Sequence, residues 1–107
     1  MPKINLVRPN GETVELTVDK GVSIMRAATS NGVVEIIGDC GGALSCASCH
    51  VFVDEEWLDK LPVMSASEDQ MLDMTAAGRE GNSRLSCQLI MSDQLDGIRL
   101  EIADPQL

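Results

Sequence analysis

Apolar and polar residues alternate near both ends of the chain, which is the pattern of strands that bury one face. The alternation covers residues 4–6 and 14–18, and Asn10-Gly11 between them is typical of a tight hairpin turn. Residues 98–102 alternate in the same way. The sequence therefore predicts a hairpin at the start of the fold and a further strand near its end.

Three helices and two more strands are predicted between these segments. The helices run from the cap Ser23 to Asn31-Gly32, over residues 55–61 before Pro62, and from a capping box of Ser65 and Glu68 to Met74. The methionines, Met74 among them, are expected to fill gaps in a core with few aromatic residues. Further strands are predicted over residues 50–53 and 85–91. This order of strands and helices indicates an α+β domain, and no linker or repeat divides residues 1–107.

The four cysteines suggest an inorganic centre. Cys40, Cys46 and Cys49 lie in one short stretch rich in glycine and alanine, and Cys87 follows far downstream, in the spacing Cys-x5-Cys-x2-Cys-x37-Cys. Small residues between the ligands allow backbone N–H groups to approach the sulfurs. Four converging thiolates are what a 2Fe-2S cluster requires.

Other uses of four cysteines fit less well. A disulfide framework is expected in a secreted chain, but the N-terminus has no apolar stretch of signal-peptide length. Structural zinc usually takes two separated Cys-x2-Cys pairs, and only Cys46 and Cys49 have that spacing. Nothing places Cys46 at the start of a helix, as a redox pair of the thioredoxin type requires. A zinc-stabilised interaction module stays open as the alternative from another class.

The residues around the cysteines resemble a known family. The runs 38–51 and 82–88 are similar to the adrenodoxin and putidaredoxin family of 2Fe-2S ferredoxins, and the likeness spans nearly the whole chain. Plant-type ferredoxins have four residues between the first two ligands, whereas this chain has five. The resemblance implies a β-grasp fold, with a mixed sheet, a packed helix and a cluster-binding loop. It also implies one 2Fe-2S cluster with the ligands Cys40, Cys46, Cys49 and Cys87.

Charge limits the classes of partner. The chain has 17 acids against 8 bases and a net charge of −9, which repels nucleic-acid phosphates and anionic lipid. Aromatic residues make up only 2% of the chain, too few for a module that stacks on bases. No segment approaches the roughly 18 apolar residues of a membrane span. We therefore expect basic protein surfaces as partners, with no nucleic-acid or membrane partner.

An acidic segment between the third and fourth cysteines is a candidate docking surface. Residues 54–73 contain seven acids and one base, a composition that by default indicates a solvated face. In the resembled family, an acidic helix beside the cluster meets Arg and Lys of the partners. The resemblance thus implies a docking patch made of Glu68, Asp69 and Asp73.

Four residues near the cysteines have predicted supporting roles. Asp39 and Leu44 are expected to contact partners beside the cluster, although Asp39 as a loop cap and Leu44 as a core residue are the alternatives. His50 is the only histidine, and a Rieske centre needs two, so we expect a structural hydrogen bond from the loop to the acidic segment. Arg84 is expected to pair with an acid.

These features together predict an electron carrier rather than an enzyme. One histidine and no nucleophile motif give little basis for catalysis on a substrate. Residues 38–42 and 95–98 resemble bacterial ferredoxins that serve cytochrome P-450 monooxygenases. The resemblance implies transfer of single electrons from an NAD(P)H-dependent flavin ferredoxin reductase to such a monooxygenase, with iron-sulfur cluster assembly as the second possibility. A monomer that forms transient complexes in a bacterial cytoplasm is expected.

Overall fold

The computed structural model describes residues 2–33, 36, 49–61, 63–75 and 77–104. Within these residues, five strands form one mixed sheet in the order β2-β1-β5-β3-β4. Their bounds are β1 (Lys3–Val7), β2 (Thr13–Thr17), β3 (His50–Val53), β4 (Ser83–Leu85) and β5 (Ile98–Ile102). β1 and β5 are parallel, and the other neighbouring strands are antiparallel. Because the described residues also form α-helices beside this sheet, the predicted α+β class is confirmed.

The first hairpin follows the prediction. β1 pairs with β2 in a register that places Val7 opposite Thr13. Gly11 adopts a φ of 92°, which a residue with a side chain rarely does, and its N–H donates to the carbonyl of Arg8 at 2.9 Å. The local turn residues therefore determine where the chain reverses.

The α-helices in the described part of the chain are α1 (Ile24–Ser30), α2 (Glu55–Leu58) and α3 (Ala66–Leu72). Both predicted caps are present: the side chain of Ser23 accepts from the N–H of Arg26, and that of Ser65 accepts from the N–H of Glu68, each at 3.1 Å. α2 and α3 end earlier than the sequence predicted. Among the described residues, no helix is both long and apolar enough to cross a lipid bilayer.

The strand predicted over residues 85–91 is wrong for most of its length. β4 ends at Leu85, and a 3₁₀ turn, Ser86–Gln88, follows. The N–H of Leu89 closes this turn on the carbonyl of Ser86 at 3.2 Å, and the carbonyl of Leu89 accepts from the N–H of Ile24 at 2.8 Å. Because Leu89 is fully buried beneath the start of α1, the chain leaves the sheet here. Cys87 consequently lies on a turn.

The core lies against the central strands. Ile4 and Leu6 of β1 and Ile98 and Leu100 of β5 have no exposed surface. Burial of such side chains stabilises each by about 1.5–3 kcal/mol relative to exposure. The middle of the sheet is therefore a rigid base for β3 and β4, beside which the candidate site is built.

Candidate metal centre

Strand pairing brings two of the four cysteines together. Cys49 directly precedes β3, and Cys87 lies in the turn that follows β4. These strands are antiparallel, with His50 opposite Leu85, so the residues just outside the pair also meet. The backbone N–H and the hydroxyl of Ser86 both donate to the carbonyl of Cys49 at 2.9 Å. This double contact fixes Cys49 beside Cys87.

The two sulfurs suit a positively charged occupant. Cys49 and Cys87 are buried and are not joined by a disulfide. The hydrogen bond with the Cys87 side chain raises the pKa of Cys49 far above its usual range, and burial raises it further. Two adjacent buried thiols ionise together only when a cation compensates their charge, and thiolate-bound iron does so. The pair therefore fits an iron-sulfur centre.

The remaining predicted residues of the loop lie outside the part of the chain that the structure describes. They are Asp39, Cys40, Leu44 and Cys46. Among the described residues, no group of three or more His, Cys, Asp or Glu side chains is arranged to hold a metal ion. The four-cysteine ligand set thus stays a prediction, to which the structure adds the meeting of Cys49 and Cys87.

Comparison with known proteins identifies the family. Residues 7–92 match the 2Fe-2S iron-sulfur cluster binding domain. The chain belongs to the 2Fe-2S ferredoxins. Putidaredoxin of Pseudomonas putida is 48% identical to this ferredoxin over 106 residues, 99% of each chain. Rhodocoxin of Rhodococcus erythropolis is 43% identical over 107 residues, the full length of both.

Solved structures agree with the sequence comparison. The crystal structure of a reduced cysteine-to-serine variant of Pseudomonas putida putidaredoxin, 48% identical, superposes with a TM-score of 0.96 over 98% of this ferredoxin and 99% of that chain. The putidaredoxin chain of a covalent complex with putidaredoxin reductase, 49% identical, gives 0.93 over 95% and 98%. The predicted β-grasp ferredoxin fold and single 2Fe-2S cluster are confirmed, and the chain is an electron-transfer protein.

His50 is a structural residue of this ferredoxin. Its ring is fully buried, and burial lowers the pKa of the imidazole, which favours the neutral form. Nε2 shares a hydrogen bond of 2.8 Å with the hydroxyl of Ser83, which also accepts from the N–H of Glu80. The sequence predicted a bond to the acidic segment. The described bond joins β3 to β4, because these strands are neighbours in the sheet, and the bond to the acidic segment stays a prediction.

Glu68 is not a surface residue, so the prediction that it contacts partners is wrong. Only 1% of it is exposed. Its carboxylate accepts two hydrogen bonds from Arg84, at 2.7 and 3.1 Å, and one from the N–H of Leu85 at 3.0 Å. The predicted pairing of Arg84 with an acid is thereby confirmed. A usable signal was the spacing of four residues from Glu68 to the buried Leu72, which places both on one face of α3.

The other two acids of the patch predicted around Glu68 do lie on the surface. Asp69 and Asp73 are exposed, and both pair with Arg79, whose Nη1 is 2.9 Å from Oδ1 of Asp73. These two carboxylates, Asp69 first, raise the pKa of Arg79. Met74, which the sequence assigned to the core, is 74% exposed beside them. We call Asp69 on α3, together with Asp73, Met74 and Arg79 after it, the α3 face. The contribution of Arg79 was not predicted from the sequence.

Proposed function

We propose that this ferredoxin carries single electrons from an NAD(P)H-dependent flavin ferredoxin reductase to a cytochrome P-450 monooxygenase. The observation that carries the proposal is the meeting of two buried thiols, Cys49 and Cys87, in a chain of the 2Fe-2S family. The solved complex of putidaredoxin with putidaredoxin reductase supports a reductase as the donor. The P-450 acceptor is supported by the sequence resemblance around residues 38–42 and 95–98.

The proposed ligands are Cys40, Cys46, Cys49 and Cys87. When bound, the cluster supplies reversible one-electron chemistry. The chain holds the two described ligands on a fixed base, because Ser86 ties Cys49 to the turn that carries Cys87. Both of these cysteines are buried, and burial limits the access of water to metal ligands.

The proposed docking surface is the α3 face together with Asp39 and Leu44. Its exposed carboxylates, Asp69 and Asp73, attract Arg and Lys of a basic partner, and attraction of this kind mainly raises the rate of encounter. Electron carriers need contacts that form and dissolve quickly, and small polar contacts satisfy that need. Glu68 has no part in this surface, because its carboxylate is enclosed by Arg84 and Leu85.

The ligand assignment is tested by replacing each cysteine with serine. We expect Cys87→Ser and Cys49→Ser, purified anaerobically, to lose the visible absorption and the iron of a 2Fe-2S cluster. Cys40→Ser and Cys46→Ser test the two ligands of the loop in the same way. A variant that keeps a normal visible spectrum and full iron content would remove its cysteine from the ligand set.

The acceptor is tested by stopped-flow mixing of the reduced ferredoxin with a cytochrome P-450 and with a cluster-assembly complex. We expect faster reduction of the P-450, and slower transfer from Asp73→Asn at low ionic strength. Asp93→Asn is the matched control, because Asp93 is also an exposed, ion-paired acid, at 3.2 Å from Lys20. Faster electron transfer to the assembly complex than to the P-450 would contradict the P-450 as acceptor. Equal transfer rates for Asp73→Asn and Asp93→Asn would contradict docking by the α3 face.

A further inference from the structure

The side chain of Gln88 reaches the sulfur of Cys87. Its Nε2 atom donates to Sγ at 3.4 Å, and the residue is partly buried. Gln88 is the last residue of the 3₁₀ turn, and the next residue, Leu89, is fully buried. The hydrogen bond from Ile24 to the carbonyl of Leu89 fixes the backbone at this end of the turn. The backbone next to the donor is therefore held by a hydrogen bond to the start of α1.

The chemistry of the contact determines its direction. A thiolate sulfur only accepts hydrogen bonds, and of the two ends of a carboxamide only the NH₂ group donates. One-electron reduction adds negative charge to the cluster and its sulfur ligands. An N–H group directed at such a sulfur stabilises the reduced state more than the oxidised state.

We propose that Gln88 raises the reduction potential of the bound cluster through its hydrogen bond to the sulfur of Cys87. The proposal rests on Cys87 being a ligand, and it assigns to Gln88 a role in setting the driving force of transfer. No other residue is required to move for this effect. The potential in turn determines which reductases can reduce the ferredoxin and which acceptors it can reduce.

The test is a dye-mediated redox titration of the cluster-containing Gln88→Leu variant. Leucine keeps much of the side-chain volume and removes the donor. We expect the equilibrium constant for reduction to fall by about tenfold, which for one electron is a potential lower by about 59 mV. The matched control is Gln70→Leu, because Gln70 is an exposed glutamine on α3. A potential for Gln88→Leu that equals that of the control would overturn the proposal.

A second measurement does not depend on a variant. The reduced cluster has an unpaired electron, so pulsed electron paramagnetic resonance of protein labelled with ¹⁵N in the glutamine side chains detects a nitrogen near it. We expect one coupled ¹⁵N nucleus in the wild-type protein, and its absence would overturn the proposal. A wrong assignment of Cys87 as a ligand would be recognised separately, because the Cys87→Ser variant would then contain a normal cluster.

Discussion

Replacing Glu68 by glutamine separates a structural acid from a docking acid. The side chains of Glu68 and Arg84 are 2% and 7% exposed, and two hydrogen bonds join them. Glutamine keeps the shape and can still accept from the N–H of Leu85. Its neutral amide, however, leaves the guanidinium of Arg84 as a buried charge without a counter-charge from this position.

The expected loss of stability in Glu68→Gln follows from that uncompensated charge. Breaking a buried ion pair by removing one partner typically costs about 3–5 kcal/mol. In a domain of this length each kcal/mol lowers the melting temperature by about 4 °C, so we expect Glu68→Gln to melt about 12–20 °C lower. The double variant Glu68→Leu with Arg84→Met should recover part of the loss, because a whole buried pair is often replaced by apolar residues at little cost. Recovery stays incomplete, since the N–H of Leu85 loses its acceptor.

The assay is thermal unfolding of cluster-containing protein followed by circular dichroism at one scan rate. Asp69→Asn is the control on the same helix, where an exposed pair with Arg79 contributes little to stability. Well below the melting temperature, Glu68→Gln should leave the salt dependence of transfer to a basic partner unchanged. Equal melting temperatures for the two variants, or a salt dependence altered as strongly by Glu68→Gln as by Asp73→Asn, would refute the reasoning.

Two further predictions concern charge and pH. Arg79→Gln should speed association with a basic acceptor by about threefold at low ionic strength, because it frees Asp69 and Asp73 from an internal cation, and the gain should vanish at high salt. The control is Lys20→Gln, which breaks an exposed pair with Asp93, a residue outside the α3 face. An equal gain in association rate for this control, measured by stopped flow, would contradict a local effect. Burial lowers the pKa of His50, so as pH falls below about 6.5 the unfolded chain binds a proton before the folded chain does, and thermal stability should drop. Thermal melts across this pH range should show a melting temperature that depends less steeply on pH for His50→Gln than for the wild-type protein. An equal slope for the two proteins would contradict the lowered pKa of His50.

Local features of the fold were predictable from the sequence. The first hairpin depends on alternation and on the turn at Gly11, and the starts of α1 and α3 depend on Ser23 and Ser65. Each of these signals acts within a few residues, so a single sequence contains the whole of it. The end of β4 was not predictable, because the chain turns there to place Leu89 under α1, a contact between distant segments.

The chemistry of the site was only partly predictable from the sequence. The number and spacing of the cysteines predict the cofactor, since a 2Fe-2S cluster requires four sulfur ligands. The environment of those ligands was not predictable. Whether the side chain of Gln88 reaches a sulfur, or Arg79 reaches two carboxylates, depends on backbone positions that sequence patterns do not specify.

The buried acid of α3 also connects the proposed docking surface to the proposed ligands. Glu68 accepts from the N–H of Leu85, two residues before Cys87, while Asp69 on the same helix faces the solvent. The position of α3 relative to the ligand turn is thus fixed by a charge-assisted contact with little exposure. A partner that binds the exposed carboxylates therefore meets a helix whose distance from Cys87 is set before docking. Loss of Glu68 should consequently disturb the ligand turn first and the encounter with a partner only through it.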